Sequence, residues 1–448
     1  MAVALGPTPT MAAVSTDPAA QPVPVRVGVL GCGNVGGALV GLLAAQGDAI
    51  EARTGVRLQV VRVAVRDLAK PRPAGLDPAL LTDDADGLVA DPDIDLVVEL
   101  IGGIDPARDL ILAALKAGKP VVTGNKALLA TAGAELFEAA EDAGVDLLFE
   151  AAVAGGIPII RPLRESLVGE EITRVLGIVN GTTNYILTRM AESGASYADA
   201  LAEAQALGYA EADPTADVEG YDAGAKVAII ASIAFGASVV ADDVHHEGIS
   251  GITAVDIASA ARLGYVIKLL GVAEQAPTGE IGVRVHPAMV PLDHPLASVR
   301  EAFNAVFIEG TSVGELMFYG RGAGGGPTAS AVLGDVVDAA VNRRKGSHAS
   351  VGRLGQATVS SIDDVVSAYY LDLEVVDRPG VLAQVAGVLG EHGVSIRSME
   401  QEGLGDEASL TFITHRAREA DVRATLRDFS ALDAVRRIGS VIRVVGDG

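Results

Sequence analysis

The stretch VRVGVLGCGNVGGALVGLLAAQ, residues 25–46, decides the fold of the first part of this chain. An apolar run at 25–30 leads into the turn GCGNVG and then into a helical pattern. The turn has the G-x-G-x-x-G spacing, whose glycines allow a tight turn, close approach of the backbone to a pyrophosphate, and close packing of helix on strand. A helix N-terminus behind such a turn attracts phosphate groups. We therefore expect a bound dinucleotide, contacted by Gly31, Gly33, Asn34, Val35 and Gly36.

Four more apolar runs follow this unit and predict further strands of one sheet. They are LQVVRVAV at 58–65, IDLVVELIGG at 94–103, KPVVTGNKALLA at 119–130 and VDLLFEAAVAGGIP at 145–158. Helical segments lie between them, and this alternation predicts an α/β domain with a Rossmann-type, doubly wound parallel sheet. Such sheets bind ligands at the carboxyl ends of their strands. We therefore expect Gly102 and Lys126, which lie near the ends of two strands, at the binding edge.

The end of the second strand bears on which dinucleotide binds. Arg66 ends this strand, and Lys70 and Arg72 follow closely. Positive side chains at this point suit the 2′-phosphate of NADP, whereas a carboxylate would suit the free ribose of NAD. Asp67 stands next to Arg66 and keeps NAD open, and the basic residues could also be ordinary surface residues. The sequence favours NADP as the cofactor.

Composition narrows the classes of protein to which the chain can belong. The 448 residues carry a net charge of −24 and no basic block, so we expect neither nucleic acid nor an anionic membrane as a partner. Cys32 is the single cysteine, which argues against a disulfide framework and a cysteine-based metal cluster. Residues 1–24 lack a signal-peptide pattern and predict a disordered tail. No segment has the length of apolar sequence that a membrane helix needs, so we expect a soluble cytoplasmic protein.

The run GYAEADPTADVEGYDAGAK, residues 208–226, concentrates charge in front of a helical pattern. It holds five carboxylates and a single lysine, Lys226. Asp222 and Lys226 are four residues apart, so they share one face of the predicted helix, and Asp217 is placed to cap that helix. An ordinary ion pair with a capping aspartate would give the same pattern. Upstream, residues 171–190 predict a strand, a turn at 180–182 and a helix, which indicates an α+β domain.

The last part of the chain predicts a separate small domain. Residues 342–364 are polar and rich in Gly and Ser, which is typical of a linker or a surface segment. Strands are then predicted at 369–376, 394–400, 408–415 and 435–445. A helix with apolar positions from 381 to 389 follows the first of these strands, and a second helix is predicted at 419–430. This βαββαβ order is that of a ferredoxin-like fold.

The middle of the chain resembles the homoserine dehydrogenase family. That family's signature is G-Y-x-E-x-D-P-x-x-D-x-x-G-x-D-x-x-x-K, and residues 208–226 match every fixed position. The segments GIVNGTTNYIL, TGNKALLA and GRGAGGGPTASAVLGD also look like that family, so the resemblance covers about 25–345. It implies an enzyme that interconverts L-aspartate 4-semialdehyde and L-homoserine with NAD(P)H. This reaction lies on the route to threonine, methionine and isoleucine.

The resemblance implies catalytic and substrate-binding roles for the matched residues. Lys226 corresponds to the proton donor, and Lys126 to a second active-site lysine between the nicotinamide and the substrate. Which lysine transfers the proton in each direction stays open. Glu211 is implied to receive the ammonium group of the substrate, while Asp217 and Asp222 order the site. The whole implied substrate-binding set is Glu211, Asp217, Asp222, Tyr209, Gly181 and Thr182.

Two further segments resemble ligand-binding segments of the family. FEAAVAGGIP resembles one that holds a monovalent cation, Na+ or K+, in a structural role, although a plain strand-to-helix junction is the alternative. Oxygen ligands suit such a hard cation. Gly324, in GAGGGP, corresponds to a backbone contact with the cofactor, and a flexible loop is the alternative there. The implied cation ligands are Glu150 and the backbone carbonyls of Val153, Gly155 and Ile157.

The last domain resembles an ACT domain. Its segment DRPGVLA matches the strand–helix turn with which ACT domains bind small amino acids, usually across a dimer interface. Asp377 and Gly380 would then line an effector pocket. The resemblance implies L-threonine as the effector and a homodimer or homotetramer as the assembly. A domain that only dimerises is the alternative.

These patterns divide the chain into five parts. We expect a tail at 1–24, an NAD(P)-binding Rossmann domain at 25–154, a catalytic and dimerisation domain at 155–345, a linker at 346–367 and an ACT domain at 368–448. Two rival interpretations are a different NAD(P)-dependent reductase of a small polar aldehyde or keto acid, and a non-catalytic sensor of nucleotides and amino acids. The matched signature argues against the first. Intact Lys126 and Lys226 argue against the second, because a sensor has no need of a proton donor.

Overall fold

The structure is a computed structural model that describes residues 23–72, 76–403 and 405–446. The predicted disordered tail therefore lies, except for its last two residues, outside the described residues. Within the described ranges, no helix is both long and apolar enough to cross a membrane.

Among the described residues of the first unit, 23–72 and 76–148, there are six strands and four helices. Its strands are β1 (Val23–Leu30), β2 (Val56–Ala64), β3 (Leu81–Thr82), β4 (Leu96–Glu99), β5 (Val121–Thr123) and β6 (Leu147–Leu148). Its helices are α1 (Asn34–Thr54), α2 (Ala85–Ala90), α3 (Ala107–Lys116) and α4 (Lys126–Ala143). A short 3₁₀ helix at Pro78–Leu80 precedes β3.

All six strands are parallel and lie in the order β3-β2-β1-β4-β5-β6. Val27 and Val29 of β1 and Val98 of β4 have no exposed surface, because helices cover both faces of the sheet. The order reverses between β1 and β4, which makes a crevice at the carboxyl ends of the strands where such folds bind ligands. The predicted doubly wound sheet is confirmed.

The second unit contains the middle of the chain. Its strands are β7 (Ile172–Ile178), β8 (Ala237–Ser238), β9 (His245–His246), β10 (Tyr265–Gln275), β11 (Ile281–Pro291), β12 (Phe303–Gly310), β13 (Gly314–Arg321) and β14 (Gly355–Gln356). Its helices are α5 (Gly181–Ser193), α6 (Tyr197–Ala206), α7 (Thr215–Val218), α8 (Tyr221–Phe235), α9 (Ala254–Arg262) and α10 (Gly325–Lys345). Short 3₁₀ helices lie at Glu150–Ala152, Ala241–Asp243 and Pro295–Ser298, and a π-helical turn lies at Pro162–Ser166.

Antiparallel pairing orders the main strands of this unit as β13-β12-β7-β10-β11. Helices α5, α8 and α9 pack on the sheet, and their apolar residues join one large core. The last helix, α10, returns to the first unit and packs along α1, where its Val332 and Val336 share a core with Val27 and Leu39. The chain thus returns to the first unit after building the second, and the crevice of the first sheet faces residues of the second unit.

The third unit has the predicted βαββαβ order, with one additional two-residue strand. Its strands are β15 (Val366–Val376), β16 (Ile396–Gly403), β17 (Glu407–Thr414), β18 (Ala417–Arg418) and β19 (Val435–Val444). Its helices are α11 (Val381–Glu391) and α12 (Glu419–Phe429), and a 3₁₀ helix lies at Ile362–Asp364.

The sheet of the third unit continues the sheet of the second. Strand β19 pairs in parallel with β11, with Ala288 opposite Arg443 and Met289 opposite Val444. The main path of the joint sheet is β13-β12-β7-β10-β11-β19-β15-β17-β16, with β9 paired to β11 and β18 paired to β15 beside it. Tyr370 and Ile442 also belong to the core of the second unit. The C-terminal unit is therefore packed against the rest of the chain as well as joined to it.

The segment predicted as a linker is anchored on the first two units. The backbone N–H of Ala349 donates to Asp146 Oδ1 at 2.5 Å, and Arg353 forms an ion pair of 2.7 Å with Asp142. Further along, β14 pairs in parallel with β8. A polar, Gly-rich composition predicts exposure, and it does not exclude this kind of attachment through backbone and charged groups.

Candidate active site

The glycine turn after β1 has the shape that its spacing predicts. Gly31 has φ 96°, and a Cβ on it would lie 2.7 Å from the carbonyl oxygen of Leu100. A Cβ on Gly36 would collide with the carbonyl oxygen of Gly31, so neither position accepts a side chain without a backbone shift. A Cβ on Gly33, in contrast, would meet nothing within 4 Å. The turn is therefore tightly packed at Gly31 and Gly36 and open at Gly33, directly before α1 begins at Asn34.

A second helix N-terminus lies beside the first. Helix α10 begins at Gly325 after Gly324, and a Cβ on Gly325 would lie 3.2 Å from the carbonyl oxygen of Asn34. Helices α1 and α10 each contain 21 residues and pack along each other. The N-terminal end of a helix carries partial positive charge, which favours an anion. The predicted contacts Gly33, Asn34 and Gly324 therefore meet in one cradle that fits a pyrophosphate.

The basic residues after β2 differ in how they are held. Arg66 is exposed. The guanidinium of Arg72 instead donates to the backbone carbonyls of Cys32, at 2.8 Å, and Asp67, at 2.7 Å. Arg72 thus ties the glycine turn to the end of β2, while Arg66 keeps its guanidinium available at the same end of the crevice.

Three charged side chains meet across the two units. Lys126, the first residue of α4, donates to Asp222 Oδ1, and Lys226 Nζ donates to Asp222 Oδ2 at 2.6 Å. Lys226 also donates to the backbone carbonyl of Val179 at 2.7 Å. The predicted shared face of Asp222 and Lys226 on α8 is confirmed. Lys126 arrives from a point 96 residues earlier in the chain.

Asn180 completes this cluster and was not singled out by its sequence. Its side-chain amide donates to Asp217 Oδ1 at 2.7 Å and to Asp222 Oδ2 at 2.8 Å. Its own Oδ1 accepts from the backbone N–H of Thr183 and so caps α5. The sequence marked a turn at 180–182 and gave no sign that the asparagine would bridge two distant carboxylates.

The prediction that Asp217 caps α8 is wrong. Asp217 lies inside α7, and Gly220, with φ 85°, occupies the position before α8. The left-handed turn at Gly220 separates α7 from α8, so Asp217 points to Asn180 instead of to the helix end. Its contribution to the site therefore passes through Asn180.

The charge of Asp222 is stabilised by its neighbours. Burial alone would raise the pKa of this carboxyl, but the charges of Lys226 and Lys126 and their hydrogen bonds hold the pKa well below its usual range. The Asp222 side chain is 7% exposed and that of Lys226 is 11% exposed, whereas Lys126 is 44% exposed. An ionised Asp222 thus holds one lysine that is nearly enclosed and one that remains accessible.

A cleft of about 310 Å³ opens in front of the two lysines. It is bounded by the ends of β4 and β5, the start of α4, and the turns before α10. Of the predicted residues, its lining includes Gly102, Lys126, Gly155 and Lys226. The cleft lies where the two units meet, so a cofactor from one side and a substrate from the other can reach the same lysines.

Other predicted substrate residues lie outside the lining of this cleft. Glu211 is exposed after α6, and the ring of Tyr209 packs on Tyr185 with centroids 4.9 Å apart. Thr182 donates its hydroxyl to the backbone carbonyl of Tyr209 at 2.7 Å, and a Cβ on Gly181 would lie 2.8 Å from the carbonyl oxygen of Ala302. Thr182 and Gly181 therefore hold the loop before α7 and the start of α5 in place.

The segment predicted to hold a cation is built around a buried carboxylate. Glu150 Oε1 accepts from the backbone N–H groups of Ile159, at 2.5 Å, and Ile160, at 2.7 Å, and Oε2 accepts from that of Arg161 at 2.9 Å. Between Glu150 and these amides, the chain turns through positive φ at Ala154 and Gly155. The carboxylate of Glu150 thus fixes the turn between residues 150 and 161, which we call the Glu150 junction. Its two oxygens accept three hydrogen bonds and keep lone pairs for one more ligand.

The predicted effector residues lie at an exposed turn of the third unit. Gly380 precedes α11 with φ 91°, and a Cβ on it would meet nothing within 4 Å. The backbone N–H of Asp377 donates to the carbonyl of Asp406 at 3.0 Å. The turn therefore leaves open space in front of Gly380.

A Rossmann unit with a phosphate cradle, joined to a second unit that brings a lysine–carboxylate cluster to the crevice, defines an NAD(P)-dependent oxidoreductase. Family models agree with this class. "Homoserine dehydrogenase" matches residues 158–337, "Homoserine dehydrogenase, NAD binding domain" matches 31–150, and "ACT domain" matches 369–434.

Individual relatives extend the similarity over almost the whole chain. The homoserine dehydrogenase of Corynebacterium glutamicum is 52% identical over 432 residues, which are 94% of this chain and 96% of that protein. The crystal structure of a homoserine dehydrogenase from Thiobacillus denitrificans is 44% identical with a TM-score of 0.89, over 95% of this chain and 99% of that one. A hyperthermophilic archaeal homoserine dehydrogenase in complex with NADPH is 29% identical with a TM-score of 0.61, over 71% of this chain and 98% of that one.

The chain therefore belongs to the homoserine dehydrogenase family and is an NAD(P)-dependent oxidoreductase of amino-acid biosynthesis. The resemblance that the sequence indicated is confirmed, as is the ACT-type fold of the third unit.

Proposed function

We propose that this enzyme interconverts L-aspartate 4-semialdehyde and L-homoserine with NADP(H), on the route to threonine, methionine and isoleucine. The observation that carries the proposal is the Lys126–Asp222–Lys226 cluster at the cleft between the cofactor cradle and the second unit. When bound, the reduced dinucleotide supplies the hydride that converts the aldehyde to the alcohol.

Lys226 is proposed as the proton donor to the substrate oxygen. An ammonium group has three N–H donors, and two of those on Lys226 are taken by Asp222 and the Val179 carbonyl. The third is free for the substrate oxygen in the cleft, and the positive charge stabilises the alkoxide that develops there. Lys126, also held by Asp222 and more exposed, is proposed to lie between the nicotinamide and the substrate.

The ammonium group of the substrate is proposed to bind beside the carboxylates Glu211, Asp217 and Asp222. Glu211 is exposed on the loop before α7, where its carboxylate can accept a charge-assisted hydrogen bond from the substrate ammonium group. Asp217 and Asp222 are fixed by Asn180. Tyr209, Gly181 and Thr182 are proposed to shape the pocket by holding this loop.

The direct test of the proposed function is an assay of the purified chain with aspartate semialdehyde. Oxidation of NADPH at a rate that depends on this aldehyde supports the proposal. As controls, other short polar aldehydes and keto acids are supplied at the same concentration. A clear preference for one of them would instead favour a different reductase of the same fold.

A preference for NADP over NAD is proposed because of the arginine side chains that follow β2. Arg66 is exposed there and can grip a 2′-phosphate bidentately, while Arg72 is occupied by two backbone carbonyls. A related archaeal homoserine dehydrogenase, solved in complex with NADPH, supports the phosphorylated cofactor.

Replacement of Arg66 by alanine is expected to weaken NADPH binding by roughly 10- to 100-fold, the effect of losing a charge-assisted hydrogen bond. NADH binding, measured by the same fluorescence titration, should stay unchanged. Arg57→Ala is the matched control, since Arg57 lies at the other end of β2 and pairs with Glu51. Equal losses for both dinucleotides would rule out a specific contact with the 2′-phosphate.

A structural monovalent cation, Na+ or K+, is proposed at the Glu150 junction. Glu150 is buried, and the left-handed turn at Ala154 and Gly155 changes the direction of the backbone that follows it. With the carbonyls of Val153, Gly155 and Ile157, it would form a set of oxygen ligands of the kind that hard cations prefer.

L-threonine is proposed as an inhibitor that binds the turn at Asp377 and Gly380. A match to the ACT family supports a small-molecule effector, and the open space before Gly380 supports the location. To inhibit, threonine must bind an inactive arrangement more tightly than the active one, typically by 1–3 kcal/mol. The proposed assembly is a homodimer or homotetramer. The proposed division of the chain assigns cofactor binding to 25–154, catalysis to 155–345, connection to 346–367 and regulation to 368–448.

Gly380→Leu is expected to abolish threonine inhibition and to keep the uninhibited rate, because the side chain would fill the space in front of the turn. The matched control is Gly393→Leu, at the other end of α11, where φ is 70° and space is also open. It imposes the same kind of backbone strain away from the turn. The rate of each variant is measured at increasing threonine concentration. Full inhibition of Gly380→Leu would contradict threonine binding at this turn and would leave the domain with a role in assembly only.

A further inference from the structure

A buried ion cluster joins the C-terminal unit to the second unit. The guanidinium of Arg443, on β19, is 5% exposed. It donates two hydrogen bonds of 2.8 Å to the carboxylate of Glu247 and two, of 3.0 and 2.8 Å, to Glu419 Oε2. Tyr369 donates its hydroxyl to Glu419 at 2.7 Å, and His245 contacts Glu247 at 2.9 Å. Glu247 belongs to the second unit, so this cluster is an ionic bond between the two units.

Glu247 is firmly fixed by this arrangement. Burial alone would raise the pKa of its carboxyl, but hydrogen bonds from His245 and Arg443 hold the pKa well below the usual range. Its backbone N–H also donates to the carbonyl of Val285 on β11 at 2.8 Å. A bidentate arginine–carboxylate pair restricts orientation as well as distance. The residues next to Glu247 in the chain therefore have little freedom.

These neighbouring residues form a close-packed seat for the start of α8. Ile249 donates its backbone N–H to the carbonyl of Val218 at 2.8 Å, and a Cβ on Gly248 would lie 2.6 Å from the same oxygen. On the other side of Glu247, the ring of His246 packs on Tyr221 with centroids 5.0 Å apart, and a Cβ on Gly224 would collide with it. We name residues 246–249 the seat.

The seat contacts the segment that carries the reacting groups. Asp222 lies between Tyr221 and Gly224, and Lys226 follows about one turn after Asp222 on the same helix. Asp217, which Asn180 links to Asp222, lies directly before Val218. A displacement of the seat would therefore move Asp222 and Lys226 relative to Lys126 on the first unit.

We propose that Glu247 is a positioning residue of the active site, and that its pairing with Arg443 lets the C-terminal unit set the position of α8 through the seat. This inference rests on the proposed roles of Asp222 and Lys226. The C-terminal unit then contributes to catalysis in the absence of any effector.

Glu247→Gln tests the ionic bond with an isosteric change. A misplacement of about 1 Å can lower a rate by 10²-fold, so we expect kcat to fall by roughly 10- to 100-fold, whereas the Kd for NADPH stays unchanged. The matched control is Glu419→Gln, which removes the charge of the other carboxylate that pairs with Arg443. Glu419 lies on α12 of the C-terminal unit and is not part of the seat. This variant should lower thermal stability and keep kcat. Equal losses of kcat in both variants would overturn the positioning role.

Gly248→Ala tests the seat without changing any charge. Its Cβ meets the Val218 carbonyl, so we expect the same fall in kcat with NADPH binding intact. Gly251→Ala, at a glycine with nothing within 4 Å of its Cβ, is the control and should match the unmodified enzyme. Normal kcat in both Glu247→Gln and Gly248→Ala would overturn the inference. Normal turnover in Lys226→Ala would instead overturn the proposed role of Lys226, and a failure of the unmodified chain to oxidise NADPH with aspartate semialdehyde would overturn the proposed function. The failures are therefore distinguishable.

Discussion

Replacement of Lys226 by alanine is expected to lower kcat for aspartate semialdehyde reduction by roughly 10²–10⁴, which is the usual scale for the loss of a general acid. Lys226 is enclosed, and its two fixed hydrogen bonds direct its remaining N–H into the cleft. The cofactor cradle is built by α1 and α10, which do not include this residue, so the Kd for NADPH should stay unchanged. Stopped-flow measurement of NADPH oxidation at saturating substrate gives the rate of the chemical step.

Two companion variants separate proton transfer from charge. Lys226→Arg keeps a cation beside Asp222, but a guanidinium does not release its proton in proteins, so its kcat should also fall. Lys116→Ala, at the exposed end of α3, removes a lysine away from the cleft and should have no effect. Recovery of the rate in Lys226→Arg would assign the residue a purely electrostatic role. Turnover of Lys226→Ala at the wild-type rate would remove it from the mechanism.

Replacement of Asp222 by asparagine is expected to lower both activity and stability. The two lysines would lose their common counter-ion, and breaking a buried pair in this way costs about 3–5 kcal/mol of unfolding free energy. Lys226 would also lose the carboxylate that orients it, so kcat should fall by about 10²-fold. Urea unfolding and steady-state kinetics of the same preparation measure the two effects.

The stability difference between wild type and Asp222→Asn should depend on pH in a defined way. The pKa of Asp222 is lower in the folded chain than its unfolded value, which is about 3.9. The stabilisation is therefore fully present above that unfolded value and is lost as the pH falls towards the folded pKa. From pH 5 upwards the difference should be constant, and below about pH 4 it should shrink. A difference that instead grew towards acid pH would contradict the ionised state of Asp222.

Much of the fold could be predicted because its signals are local. The glycine turn at 31–36 determines its own conformation, and α8 carries Asp222 and Lys226 on one face through the helix repeat alone. The βαββαβ order of the third unit likewise follows from alternating apolar patterns. Each of these features depends on residues less than about 20 positions apart, within the windows in which sequence periodicity is informative.

What the sequence did not predict depends on contacts between distant segments. The bridge of Asn180 to Asp217 and Asp222 crosses 37 and 42 residues, and its asparagine has the ordinary appearance of a helix cap. Asp217 was misassigned because a local cap and a distant hydrogen bond use the same residue type. The Arg443–Glu247 pair spans 196 residues and carries no motif at either end. For the same reason, the composition of the segment after α10 predicts a linker or a surface segment and does not reveal its contacts with Asp146 and Asp142.

The pairing of β19 with β11 can form only after both strands have been synthesised on the ribosome. Ala288 is translated 155 residues before Arg443, its partner in the sheet. At about 5–20 residues per second, this part of β11 waits roughly 8–30 s for the strand that covers it. An uncovered strand edge is a template for pairing with other nascent chains. The interval between the synthesis of these two strands is therefore a stage at which this edge is open to such pairing, and a translational pause within it prolongs that exposure.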